Sequence, residues 1–265
     1  MTRRELKDAE RAIIWSYGGG VQSAAIACLV VDGRLPRPER IVMADTGREA
    51  TATWKWLDEV IQPFLGRVGL RVEIAPHSLA RSDMFSPTGD NRPVMPVFND
   101  TGGKLPNQCS GTWKREVVDR FLRSEGYGVK RPIIDWIGIS TDEIHRAKDS
   151  GVNWVKLHQP LIWDVPMRRE ECVHLVRRAG LGTPPRSSCV CCPHHGDPEW
   201  HKLKTQWPSD FEWACVEDEN IRNHGTGGKL YLHRSCKPIA TIDFNPNAAQ
   251  QRLVLDECED GRCEF

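Results

Sequence analysis

The sequence predicts an α/β protein: a doubly wound, mainly parallel sheet with a cysteine-rich, mainly helical C-terminal extension. Three observations predict it. Short apolar runs alternate with helical patterns through the first half, which implies crossover connections between parallel strands. A run of three glycines sits between the first apolar run and the first helical pattern. After Leu181 the composition shifts towards Cys, His, Trp and Pro.

Taken in order, Ala12–Ser16 (AIIWS) reads as a buried strand and Val21–Asp32 as a helix closed by Gly33. Arg40–Ala44 is a second strand, Thr51–Leu65 a helix, Arg71–Ala75 a short strand, Thr112–Ser124 a helix and Ile133–Ile139 a further strand. Between His77 and Gln108 the pattern fails, with prolines and glycines spread through about thirty residues; a loop that long suggests a substrate lid. Helices near Pro198–Gln206 and Ser209–Asn223 complete the chain. The organisation read from this is a nucleotide-binding domain over 1–187, carrying the loop 77–108, and a cysteine-rich region over 188–265.

Composition excludes several classes. Lys plus Arg (36) balance Asp plus Glu (36) in 265 residues, so no chain-wide positive field draws in nucleic acid or membrane. The longest apolar run, Ala24–Val31, is far too short to span a bilayer, and the start is densely charged, so a cytoplasmic protein is expected. Ten cysteines in a chain of this size, with no secretory signal, point to reduced thiols, a metal site or redox chemistry rather than a disulfide framework.

The first chemical motif is Ser16-Tyr17-Gly18-Gly19-Gly20-Val21-Gln22-Ser23. Consecutive glycines let the backbone approach an anion, and the helix N-terminus that follows offers N–H donors and a favourable dipole. Ser16 and Ser23 add hydroxyls. A tight turn with no ligand explains the glycines equally well, but parallel sheets bind ligands at this edge. The loop is neither a Walker A sequence nor a dinucleotide fingerprint.

Here the chain resembles the PP-loop ATP pyrophosphatases, and among them the phosphoadenosine phosphosulfate reductase family, also called adenine nucleotide alpha hydrolase-like. Gly18–Ser23 resembles the family's SGGxDS loop. Ala44-Asp45-Thr46-Gly47 resembles the reductases' DTG, and Gly138 through Glu143 to Arg146 resembles their G-I-R-x-x-E-S-x-x-R segment. Pro160-Leu161-Ile162, a helix, and Cys189-Val190-Cys191-Cys192-Pro193 resemble the ending of the iron-sulfur members. The loop departs from the family pattern where Gly18 replaces a serine and Gln22 the aspartate. The resemblance implies an adenine nucleotide, ATP with Mg2+ or an adenylylsulfate, on Ser16, Gly18, Gly19, Gly20, Gln22, Ser23, Asp45, Thr46, Gly47, Gly138 and Glu143.

Within that set, Asp45 follows a strand and suits a ribose or a Mg2+ ion, or else a cap or turn. Glu143 and Arg146 stand three apart on a presumptive helix, either as a surface ion pair or, as the resemblance favours, with Arg146 as a phosphate or sulfate clamp.

Cys109 precedes Cys189 by 80 positions, and Cys189 with Cys192 forms C-x2-C. This is similar to the layout of iron-sulfur adenylylsulfate reductases, except that Gln108-Cys109-Ser110 lacks the paired cysteine. The resemblance implies a 4Fe-4S cluster on Cys109, Cys189 and Cys192 with its fourth iron open, as in members thought to transfer sulfur to nucleic acids. Zinc completed by His194 or His195 is the alternative, and Cys191 is a rival fourth ligand. The tail around Cys258 partly resembles the reductases' nucleophilic cysteine motif, although Glu259 and Asp260 disfavour a thiolate there. Basic residues cluster at Lys114, Arg115, Arg120 and Arg123 and at Arg168, Arg169, Arg177 and Arg178. Such segments suit a phosphorylated nucleotide or a nucleic-acid strand if they converge.

The expected function is ATP-dependent sulfur transfer to a nucleic acid, with a separate sulfur donor. The alternatives are an adenylylsulfate or phosphoadenylylsulfate reductase that uses Cys258 and a thioredoxin-like reductant, and a non-catalytic nucleotide-binding module with structural zinc.

Overall fold

The structure, a computed structural model, describes residues 11–85, 92–224 and 227–244. It divides into two units, each assembled from three stretches of chain. The first comprises the chain up to Thr46, Ala52–Leu79 and Arg115–Ser187; the second comprises Gly47–Thr51, Ala80–Lys114 and Ser188 onward. The expected boundary at 187/188 is one of the crossings, but the second unit also recruits 47–51 and 80–114.

The first unit holds five parallel strands, β1 (Ala12–Ser16), β2 (Arg40–Ala44), β3 (Val72–Ala75), β5 (Ile133–Ile137) and β6 (Val155–His158). Their order is β3-β2-β1-β5-β6. The register runs from Ala12 opposite Ile133 to Ser16 opposite Ile137, and from Ile41 opposite Val72 to Ala44 opposite Ala75. Strands that are apolar on both faces require helices on both faces, which is why β1 and β2 read as continuous apolar runs. Helix α1 (Val21–Val31) is apolar all round and buries every residue from Val21 to Val30, as a central helix must. It packs against α5 (Pro160–Trp163) and α6 (Arg169–Arg178), and Cys172, Leu175 and Val176 of α6 are buried. Cys28 and Cys172 are core residues, and burial pushes both thiols up to about 12.

The helix expected over Thr51–Leu65 is interrupted. It forms α2 (Thr51–Trp56), a π turn over Leu57–Ile61 and α3 (Gln62–Gly66). Pro63 has no N–H to return to the preceding turn, and the Gln62 N–H reaches five residues back to Leu57 O instead. The expected helix over Thr112–Ser124 likewise begins as a π turn, Ser110–Arg115, before α4 (Glu116–Ser124). Strand β6 was not anticipated from its sequence, VKLH, because an edge strand alternates polar residues and lacks the buried signature of its neighbours.

In the second unit β4 (Phe98–Asn99) pairs antiparallel with β7 (Leu230–Tyr231), beside α7 (Asp197–Gln206) and α8 (Pro208–Asn220). Its core joins Val94, Met95, Val97, Trp113, Trp200, Phe211, Leu230 and Phe244. Within the stretch 77–108 expected as a lid, Val94, Met95 and Val97 are almost fully buried, so apolar burial anchors 94–97 in this core. Arg48 is buried between the rings of Trp113 (4.6 Å) and Trp213 (5.7 Å), with its charge met by Asp83 at 2.7 Å. Among the described residues no helix is long and apolar enough to cross a membrane.

Candidate functional site

The strand order reverses between β1 and β5, and open parallel sheets bind ligands outside the carboxyl ends of strands at such a switch point. The glycine loop follows β1, and the segment from Gly138 follows β5. Gly138 allows the two to close: a Cβ there would lie 3.3 Å from the Ser23 backbone nitrogen and from Ser23 Oγ. Gly19 adopts φ +75°, and a Cβ on it would lie 2.9 Å from Thr53 Cγ2 and 3.0 Å from Ser187 Oγ. The loop closes around Ser23, whose Oγ accepts the Gly18 N–H at 2.9 Å, while the Ser187 hydroxyl donates to Gly18 O. Helix geometry leaves the N–H groups of Val21, Gln22 and Ser23 without intrahelical acceptors, so they suit an anion.

The side chains at this edge form a continuous polar network. Gln22 Nε2 donates to Glu143 Oε2 at 2.9 Å, and Gln22 Oε1 accepts from Arg169 Nη1 at 3.1 Å. Arg146 Nη1 donates to Glu143 Oε1 at 2.7 Å, with both side chains close to 12% exposed. The Glu143–Arg146 pair thus lies on a 3-10 turn, Thr141–Arg146, and is far more enclosed than a surface helix pair. Asp142 Oδ1 accepts the Arg169 N–H at 3.0 Å. Burial pushes the Asp142 carboxyl up, but the Ser140 hydroxyl and the Arg169 amide outweigh it and hold it below its ordinary value. Asp45 lies half-buried just beyond β2, its N–H donating to Ala75 O at 2.8 Å, with Thr46 fully buried behind it. Gly47 opens the second unit.

Ser16 is placed differently from expectation. Its hydroxyl donates to Asp135 Oδ2 at 3.0 Å and its N–H points to Oδ1 at 3.2 Å, so its donors serve a buried carboxyl on β5. Burial pushes Asp135 up to about 7, opposed by those hydrogen bonds and aided by Asp119. The folded state therefore holds this proton more tightly than the unfolded chain. The resulting stability is fully present below about pH 4 and is lost as pH rises through about 7. Asp135→Asn is expected to flatten the stability curve between pH 4 and pH 8, measured as urea midpoints. An unchanged slope would refute the assignment.

The second unit gathers the cysteines. Cys189 is fixed by an isolated bridge to Glu49, in which Val190 N donates to Arg48 O at 2.8 Å. Cys192 follows one turn later, its N–H donating to Cys189 O at 3.1 Å. Cys109 immediately precedes the π turn and stands five residues before Lys114. Burial alone would depress the Lys114 pKa. The Glu49 carboxylate and the thiols of Cys189, Cys109 and Cys192 outweigh it, and the net shift is upward. Each of the three cysteines singled out in the sequence thus favours the charged form of Lys114.

Three partly buried thiols are the type of donor an iron-sulfur cluster takes, and a lysine whose charged form they favour would offset their negative charge. Among the described residues no three His, Cys, Asp or Glu side chains are grouped so as to hold a metal ion. The imidazoles have other partners, His195 with the Ser188 hydroxyl at 2.9 Å and His194 with Lys104 at 3.1 Å. Cys191, the rival ligand, points into the core with its Sγ 3.5 Å from Met95 Sδ, and burial pushes its thiol far up. Cys191→Ala is accordingly expected to keep the iron content of wild type, measured after anaerobic preparation; loss of iron would make it a ligand.

Cys258 and Cys263 lie outside the described residues. The basic segments are largely engaged within their own units: Arg120 pairs with Glu116 and donates to Leu79 O, Arg123 stacks on Trp154, and Lys114 stands among the thiols. Asp135, Ser187 and Lys114's cysteine partnership escaped the sequence reading, since each depends on a contact between distant stretches.

No family model and no curated protein sequence matches the chain. A solved structure, the U34-tRNA thiolase NcsA from Methanococcus maripaludis with its 4Fe-4S cluster, is similar over 89% of this chain and 80% of that one. The identity is 16% and the TM-score 0.44. The α/β doubly wound assignment rests on the strand order itself.

Proposed function

We propose that this chain is a PP-loop enzyme of the phosphoadenosine phosphosulfate reductase-like type that uses ATP to transfer sulfur to a nucleic acid. The observation that carries the reading is that Cys109, Cys189 and Cys192 fall in one unit, with Cys109 flanked by Gln108 and Ser110 rather than by a pairing thiol. In this reading the glycine loop and the α1 N-terminus hold the triphosphate, and Asp45 holds the ribose or a Mg2+ ion. An acceptor oxygen attacks the α-phosphate and pyrophosphate leaves. Sulfur at the sulfide level then displaces AMP, which departs with that oxygen. Cys109, Cys189 and Cys192 would hold the cluster, which supplies an iron without a protein thiolate, open to sulfur. Lys114 offsets the negative charge of the thiolates, and Cys258 is a candidate relay.

A second reading, reduction of an adenylylsulfate by Cys258 with a thioredoxin-like reductant, is favoured by the amide at position 22, where the pyrophosphatases carry an aspartate. Anaerobic enzyme incubated with ATP, sulfide and mixed nucleic acids is expected to release pyrophosphate and AMP and to yield thiolated product. Sulfite from adenylylsulfate and thioredoxin would select the second reading. Stoichiometric zinc with nucleotide binding and neither product would select a binding module.

A further inference from the structure

We infer that Arg169 is a phosphate-binding residue of the nucleotide site and that Gln22 is the residue that positions it; the inference rests on the nucleotide reading of the glycine loop. Three observations carry it. Arg169 opens helix α6, where a cation opposes the helix dipole and gives local stability nothing. The residue is exposed, yet its guanidinium is fixed through Nη1 to a side chain that is itself only 8% exposed, Gln22, in the first turn of α1. Its backbone N–H is fixed as well, on Asp142 Oδ1. Arg169 is thus anchored at two points, its guanidinium on the helix that follows β1 and its backbone N–H on the turn that follows β5, with further N–H donors available on its planar fork.

The chemistry of position 22 explains why an amide is used. An amide presents its oxygen to Arg169 and its N–H to Glu143 at once, satisfying a cation and an anion without carrying charge. A carboxylate there would neutralise Arg169 and repel Glu143. Arg146 already balances Glu143, so the amide adds no second anion to the Asp142 carboxylate that already acts on Arg169, and the guanidinium fork stays open to a ligand. A guanidinium fork matches phosphate oxygens in a bidentate manner, which makes the triphosphate, rather than the base or ribose, the group it would recognise.

The test compares ATP with adenosine by calorimetric titration of the full chain. Arg169→Ala is expected to weaken ATP at least about tenfold while changing adenosine less than about twofold. Gln22→Glu is expected to do the same, whereas the uncharged Gln22→Met, which loosens Arg169 without neutralising it, is expected to cost less. Equal losses for Gln22→Glu and Gln22→Met, or parallel losses of ATP and adenosine, would reduce Gln22 to a packing role and overturn the inference. Arg169→Ala binding ATP like wild type, while Gly19→Ala does not, would remove Arg169 from the phosphate and leave the loop reading intact. Wild-type protein that binds neither ligand would end both.

Discussion

Cys109→Ala, Cys189→Ala and Cys192→Ala are each expected to reduce the iron of anaerobically prepared protein to below about a tenth of wild type, with sulfur transfer falling more than about a hundredfold. The expectation follows from placement. Each thiol comes from a separately fixed piece of backbone: the π turn at Ser110–Arg115, the Glu49 bridge and the turn from Cys189 to Cys192. Cys191, the cysteine beside Cys192, points into the core against Met95, so it does not substitute for a missing ligand. Iron and sulfide analysis with visible absorption reads the result, and circular dichroism confirms that the variants fold. Iron retained in all three variants, or zinc in its place in wild type, would overturn it.

Gly19→Ala is expected to destabilise the fold by about 2–3 kcal/mol and to weaken ATP more than about tenfold. The backbone there has φ +75°, and the new methyl would meet Thr53 Cγ2 and the Ser187 side chain within about 3 Å. Relief requires the loop to move off Ser187, which opens the anion cradle. Gly20→Ala is the contrast. Its φ is −95° and its nearest neighbour lies 3.8 Å away, so stability should change by no more than about 1 kcal/mol. Urea midpoints and calorimetry on both variants check the pair. Equal effects would show that the backbone at Gly19 is not what matters.

What could be read in the sequence follows what local chemistry controls. β1 and β2 were legible to the residue because continuous apolar runs flanked by polar residues have few other solutions. The glycine loop and the C-x2-C spacing were legible because both are short-range. The network of Gln22, Glu143 and Arg169 was not, since residues 22, 143 and 169 share no sequence pattern and meet only because the strand order reverses between β1 and β5. The stretch 80–114 misled for a related reason. Its prolines and glycines suggest exposure, while Val94, Met95 and Val97, scattered among them, find a core supplied from beyond residue 188.

That interleaving dictates an order of events on the ribosome. The first unit has all its chain once Ser187 has emerged, but Val94, Met95, Val97 and Trp113 must wait for Trp200, Phe211, Leu230 and Phe244. At synthesis rates of about 5–20 residues per second the wait lasts on the order of ten seconds, long enough for these side chains to need shielding from other nascent chains. Cys109 likewise waits about eighty residues of synthesis for Cys189 and Cys192. A cell whose translation stalls before residue 188 prolongs that exposure and should accumulate the protein in an aggregation-prone form.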